Sequence, residues 1–123
     1  MNQEKSDLDL IKKTMQYYFD GVYHGDMESL EKVFHPEAHQ YGFFFGDFMH
    51  LPAKDWFELL KKRPPPIKEG EEYDKKILST DVTGPIASVK VEQLLFSLRY
   101  TEYLTLSKVD GNWLIVSSTF NHD

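Results

Sequence analysis

Glu102 is the ionisable residue whose sequence context points most directly to chemistry. It begins the segment 102–106, in which Leu104 and Leu106 occupy alternate positions, as in a strand with one buried face. A carboxylate on that face is desolvated, which raises its pKa toward the range of a general base near neutral pH. The alternative is a Glu102 that lies at the open end of the sheet, solvated or hydrogen-bonded to Thr119.

Two histidines are the next candidates for chemistry. His35 and His39 are four residues apart, a spacing that suits two metal ligands on one helical turn. Pro36 lies between them and should end a helix, so we do not expect the two rings to share a face. Glu37 falls outside any His-Glu-x-x-His pattern, and we expect no metal. His39 is instead a candidate to point into a cavity as a catalytic acid, a role that a Tyr could also fill.

Aromatic side chains make up 15% of the 123 residues, and some of them are candidates to line a ligand cavity. Such rings form a flat apolar slot that suits an aromatic or polycyclic small molecule, although each ring alone could simply fill the core. The candidate aromatic lining residues are Tyr18, Tyr41, Phe45 and Trp56. Ser117 and Thr119 could add hydroxyl contacts on the same wall.

The composition excludes several classes of function. Fourteen basic and twenty acidic side chains give a net charge of -6, which argues against non-specific binding of nucleic acid. No apolar run approaches the roughly 20 residues of a membrane-spanning helix. The chain has no cysteine, and it has neither a Gly-rich phosphate loop nor a nucleophile elbow, so we expect no cofactor. The first ten residues lack the apolar core of a signal peptide, which predicts a cytoplasmic location.

The elements that must position these residues are helices first and strands last. Ser6 is a plausible cap for a first helix, whose apolar stripe is Leu8, Ile11, Met15, Tyr18 and Val22. A second helix starts after Asp26, with Phe34 in its buried stripe, and ends at Pro36. The aromatic stretch 41–48 predicts a strand or hairpin, and Pro52 starts a third helix. Strands are predicted at 75–82, 86–96, 100–109 and 112–120, which indicates a single α+β domain, 1–123.

Asp110-Gly111 predicts a two-residue hairpin loop and with it the register of the last two strands. The predicted pairs are Leu106 with Ile115, Leu104 with Ser117, and Glu102 with Thr119. Apolar side chains then occur on both faces of this hairpin. Either the sheet bends enough to bury parts of both faces, or helices cover one face and a second subunit covers the other.

Several motifs occur in an order that is familiar. They are the run Tyr-Phe-Asp-Gly-Val-Tyr-His-Gly-Asp at 18–26, Phe-His-Pro at 34–36, the segment 102–106, and Asp-Gly-Asn-Trp-Leu-Ile-Val at 110–116. Together they resemble the nuclear transport factor 2-like (NTF2-like) superfamily, which includes the SnoaL-like polyketide cyclases. Within it, the chain is most similar to the small bacterial proteins of the "Putative lumazine-binding" family.

The resemblance implies a cystatin-like cone, in which three N-terminal helices pack on a curved antiparallel sheet around an apolar cavity. It also implies a homodimer through the outer face of the sheet. Members of the superfamily include isomerases, dehydratases, cyclases and binding proteins without activity, so the fold does not define a reaction. Glu102 stands where the family often has Asp, and the full acid–base sets of ketosteroid isomerases and scytalone dehydratases are missing.

The sequence therefore leads first to a small-molecule-binding protein with an aromatic-lined cavity for a small apolar or aromatic ligand. The alternative is an isomerase, dehydratase or cyclase that acts on a cyclic apolar substrate, with Glu102 as general base. A third hypothesis is an interaction module whose outer sheet face binds a different protein.

Overall fold

The computed structural model describes residues 6–123. Residues 1–5 belong to the predicted domain, 1–123, and to the segment considered above for a signal peptide, and they lie outside the described part. The helices are α1 (Asp7–His24), α2 (Met27–Val33) and α3 (Ala53–Lys61), with a 3-10 helix at Pro66–Glu69. The strands are β1 (Phe34–Phe44), β2 (Asp47–Pro52), β3 (Lys75–Thr83), β4 (Ile86–Leu95), β5 (Leu98–Val109) and β6 (Asn112–His122). The three helices pack on one six-stranded sheet, which confirms the α+β prediction.

The strand order is β2-β1-β6-β5-β4-β3. Every neighbouring pair is antiparallel except β1 and β6, which run parallel. The expectation of a purely antiparallel sheet is therefore wrong at this pair. Between β2 and β3 the chain passes through α3 and the 3-10 helix to the opposite edge of the sheet. The last strand then returns beside β1 in the same direction, and no local sequence pattern encodes that crossover.

Helix α1 forms as its caps and apolar spacing predict. The Ser6 side chain accepts a hydrogen bond from the backbone N–H of Asp9 at 3.2 Å, and Gly25 ends the helix in the left-handed conformation. Of the predicted stripe, Ile11, Met15, Tyr18 and Val22 are buried, whereas Leu8 in the first turn is half exposed. No helix in residues 6–123 combines the length and apolar character needed to cross a membrane.

The aromatic hairpin is longer than the sequence predicts. Helix α2 ends at Val33, so Phe34 and Pro36 belong to β1 and not to the end of the helix. The β1–β6 pairing is irregular between Phe34 and His39, which accommodates a proline without a ladder donor. Phe45 and Gly46 form the turn, both with positive φ.

The register of the β5–β6 hairpin changes partway along the strands. Asp110 and Gly111 both have positive φ, as the predicted loop requires, and Leu106 pairs with Ile115. Beyond this pair a bulge next to Thr105 shifts the pairing by one residue. The two remaining predicted pairs are therefore wrong: Leu104 pairs with Ser118, and Glu102 pairs with Phe120.

Gly42 permits the close approach of β6 to β1. A Cβ atom at position 42 would overlap the backbone carbonyl oxygen and the ring of Phe120. We predict that Gly42→Ala lowers the free energy of unfolding by about 1–3 kcal/mol, because the strand or the ring must move. Thr119→Ala, on the opposite face of β6, should cost less than about 1 kcal/mol. Denaturant unfolding measures both, and equal stabilities of Gly42→Ala and the wild type would contradict this packing.

Candidate functional site

A cavity of about 270 Å³ lies between the helices and the inner face of the sheet. This is close to the lower limit of typical small-molecule pockets, roughly 300 Å³, so it suits a compact ligand. Its apolar wall includes Phe44, Met49, Leu51, Leu59, Leu95 and Phe96. Phe44, Met49 and Leu59 are exposed and mark the mouth, whereas the polar lining residues are buried deeper.

Glu102 of β5 lies at the floor of this cavity and is 4% exposed. The hydroxyl of Tyr18 on α1 donates to its Oε1 at 2.6 Å, and Nε2 of Gln93 on β4 donates to its Oε2 at 2.5 Å. The same Gln93 nitrogen lies 3.1 Å from the Tyr18 hydroxyl oxygen, which accepts its second hydrogen. Three elements thus meet at one carboxylate.

Lys75 of β3 extends this network behind Gln93. Its Nζ donates to Gln93 Oε1 and to the Leu94 carbonyl, both at 2.9 Å. Because an ammonium group only donates, it fixes the Gln93 carbonyl toward Lys75 and the NH₂ group toward Glu102. Burial lowers the pKa of Lys75 to about 8, against the opposing charges of Glu71, Glu102 and Asp74.

Burial also sets the protonation behaviour of the site. It raises the pKa of Glu102, although the hydrogen bonds from Tyr18 and Gln93 and the charge of Lys75 partly offset this effect. Burial and the neighbouring Glu102 charge raise the pKa of Tyr18 well above its ordinary value. Tyr18 thus keeps its proton at neutral pH, and the Glu102 carboxyl group has more affinity for a proton than a solvated one.

Of the residues that the sequence predicts for the site, the structure brings together Tyr18, Trp56 and Glu102 at the cavity. The ring centroid of Trp56 lies 6.4 Å from that of Tyr18, because α3 places it against the aromatic part of the core.

His39, Tyr41 and Phe45 lie elsewhere, which corrects their predicted positions. His39 and Tyr41 are on the outer face of β1, where Nδ1 of His39 lies 2.7 Å from Nε2 of His50 and the ring of Tyr41 stacks on His50. Phe45 is 69% exposed in the β1–β2 turn. Alternation along β1 turns Gln40, not its two neighbours, toward the cavity.

Ser117 and Thr119 are also on the outer face. Ser117 Oγ lies 2.7 Å from Thr105 Oγ1, and Thr119 pairs with the outward-facing Tyr103 and Tyr41. The bulge next to Thr105 is the physical reason, because it exchanges the two faces of β6 beyond that point. Ser118 and Phe120 line the cavity in their place.

Sequence reasoning missed the polar residues Gln40, Gln93, Lys75 and Ser118. Two of them carried a signal: in the alternating series Val89, Val91, Gln93, Leu95, the glutamine occupies an inward position, and Gln40 does so between Ala38 and Gly42. Within residues 6–123 no three His, Cys, Asp or Glu side chains cluster as a metal site would require.

Three helices packed on one curved six-stranded sheet form the fold that solved NTF2-like and cystatin-like proteins share. The sequence profile described as "Putative lumazine-binding" matches residues 6–121. The chain therefore belongs to this family.

Two solved structures are similar to the chain in fold, and one further protein is similar to it in sequence. An NTF2-like protein of unknown function from Silicibacter pomeroyi has a TM-score of 0.84 at 23% identity, covering 94% of this chain and 95% of its own. One from Methylobacillus flagellatus has a TM-score of 0.82 at 22% identity, covering 99% and 96%. Aldolase FrzH from Cladobotryum sp is 28% identical over 116 residues, 94% of this chain and 91% of the relative.

The raised pKa of Glu102 makes a testable difference to stability. Between the ordinary glutamate value of 4.5 and the raised pKa, the folded protein binds more protons than the unfolded chain. The free energy of unfolding therefore falls as pH rises through this window, by roughly 1.4 kcal/mol for each unit of pKa elevation.

Denaturant unfolding of the wild type and of Glu102→Gln from pH 4 to pH 8 measures this effect. The difference between their unfolding free energies should change across the window, whereas Glu58→Gln on the exposed face of α3 should follow the wild type. Parallel curves for the wild type and Glu102→Gln would contradict the elevation.

Proposed function

We propose that the protein binds a small, largely apolar molecule in the cavity and catalyses proton transfer on it, with Glu102 as the general base. The observation that carries this proposal is the 2.6 Å hydrogen bond between the Tyr18 hydroxyl and a carboxylate buried at the cavity floor. A passive apolar pocket gains nothing from a buried carboxylate, since its desolvation costs free energy. A base in a dry cavity gains proton affinity from that same desolvation.

The reaction class that fits is removal of a proton from a carbon next to a carbonyl group, a step that isomerases, dehydratases and cyclases can use on carbonyl substrates. The name of the relative, aldolase, denotes chemistry at the same kind of carbon. When Glu102 has taken the proton, its new O–H can donate to the Tyr18 oxygen. Tyr18 is then free to turn its own proton toward the ligand, the role of acid that sequence reasoning left open between His39 and a Tyr.

A ligand-binding protein without turnover is the second candidate. The family description supports binding of a small molecule, and both Glu102 oxygens already accept a hydrogen bond from a protein side chain. The two candidates differ in one measurable property, because only a catalyst exchanges a carbon-bound hydrogen of its ligand.

Deuterium exchange separates the candidates without knowledge of the natural substrate. We expect the wild type to accelerate incorporation of deuterium next to the carbonyl of 1-tetralone, a compact bicyclic ketone, measured by NMR in D₂O. Glu102→Gln should lose about 100-fold or more of this acceleration, while binding of the ketone persists.

Ser117→Ala, on the outer face of β6, is the matched control and should exchange like the wild type. Tyr18→Phe should exchange more slowly, since it removes the proposed acid. Equal exchange by the wild type and Glu102→Gln would refute the role of Glu102 as base. Binding of the ketone with no exchange above buffer would leave the non-catalytic candidate.

The outer face of the sheet is the proposed contact with a second copy of the chain. Phe43, Phe48, Tyr41 and Tyr103 form an outer aromatic patch on this face and are all at least 36% exposed. Clustered exposed aromatic rings are typical of association surfaces. The homodimer implied by the family resemblance would cover this face and leave the cavity, on the inner face, open to its ligand.

Light scattering tests this contact. The wild type should be a dimer, and Phe48→Glu combined with Tyr103→Glu should be a folded monomer, because two copies would bury unpaired carboxylates. Lys13→Glu, on α1 away from the sheet, should remain dimeric. A monomeric wild type would contradict the proposed contact.

A further inference from the structure

Two polar side chains that line the cavity form no side-chain hydrogen bond within residues 6–123. Gln40 is 6% exposed and Ser118 is 3% exposed, and both line the cavity. Neither side chain makes a hydrogen bond to any residue in the described range 6–123, where every fully enclosed polar side-chain atom has a partner. Their polar atoms are therefore accessible from the cavity, and a bound molecule can form hydrogen bonds with them.

The two residues are neighbours and lie near the catalytic carboxylate. Gln40 of β1 pairs with Ser118 of β6, and Ser118 pairs with Leu104, two residues from Glu102 on β5. At about 5 Å between neighbouring strands, Ser118 lies one strand and Gln40 two strands from the base. Glu102 and this neutral polar pair therefore lie on the same wall of the cavity, where one compact ligand can contact both.

The chemistry of the pair indicates what it would bind. A carboxamide and a hydroxyl both donate to an oxygen atom and carry no charge. No Lys or Arg is among the described residues that line the cavity, and Glu102 is the one carboxylate there. An anionic group would meet the Glu102 charge with no cation in the cavity lining to balance it, whereas a neutral carbonyl oxygen fits both donors.

We propose that Gln40 and Ser118 bind the carbonyl oxygen of a neutral, compact ketone and stabilise the enolate formed by Glu102, an assignment that rests on the proposed function. The Glu102 carboxylate removes the proton from the carbon beside the carbonyl. The electron pair of that C–H bond forms a C=C bond, and the carbonyl π pair moves to oxygen. The negative charge passes from Glu102 to that oxygen, which accepts hydrogen bonds from Gln40 Nε2 and Ser118 Oγ. Return of the proton to carbon restores the base.

The test compares 1-tetralone with tetralin, the same bicyclic skeleton without a carbonyl group. Binding is measured by NMR titration for the wild type, Gln40→Met and Ser118→Ala. Each variant should bind the ketone about three- to tenfold more weakly, the effect of one lost hydrogen bond, and should bind tetralin unchanged. Deuterium exchange into 1-tetralone should fall about 100-fold, since the donors act mainly on the enolate.

Tyr41→Phe and Ser117→Ala change the neighbouring residues on the outer face and are the matched controls. They should bind and exchange like the wild type. Equal losses for ketone and hydrocarbon would mean that Gln40 and Ser118 only pack the wall, and unchanged ketone binding would mean that they contact no carbonyl. Either result overturns the assignment.

The same data distinguish failure of this assignment from failure of the proposed function. If Glu102→Gln abolishes exchange while Gln40→Met and Ser118→Ala do not affect it, Glu102 remains the base and the oxygen-binding pair is wrong. If neither compound binds the wild type, the proposed cavity function is overturned, and this assignment falls with it.

Discussion

The hydrogen bonding of one buried carboxylate is the constraint on which the rest of the site depends. Glu102 is desolvated, so its charge is tolerated only where donors face it. Tyr18 from α1 and Gln93 from β4 supply them, and a buried group left without its partner costs about 1–3 kcal/mol. The angle at which α1 crosses the sheet and the alignment of β4 with β5 are therefore tied to the site as well as to the core.

The bulge in the β5–β6 hairpin determines which side chains join Glu102 in the cavity. Without it, Ser117 and Thr119 would face inward, as simple alternation predicts. With it, Leu106 and Ile115 keep their places in the core while Ser118 faces the cavity. A shift of one residue thus places Ser118 and Phe120 in the cavity wall, where Ser117 and Thr119 would otherwise lie.

What could be predicted from the sequence depended on how local the determining interaction is. The face of Glu102 follows from alternation with Leu104 and Leu106 within one strand, and the Asp110-Gly111 loop from the conformation of two residues. The face of the sheet on which His39 lies could not be predicted in this way, because it is set by the pairing of β1 with β6, a strand near the other end of the chain. The parallel orientation of that pair and the bulge both arise from packing between distant segments, which neither propensity nor periodicity records.

The placement of Lys75 keeps a cation close to Glu102 but outside the cavity lining. An ammonium group facing the cavity would attract anions and form an ion pair with Glu102. Lys75 instead directs its hydrogens to Gln93 Oε1 and the Leu94 carbonyl, and it is not part of the cavity lining. Its charge still lowers the pKa of Glu102 from behind the amide. The network therefore adjusts the pKa of Glu102 without placing a cation in the cavity lining, and the polar residues that line the cavity beside Glu102 are uncharged.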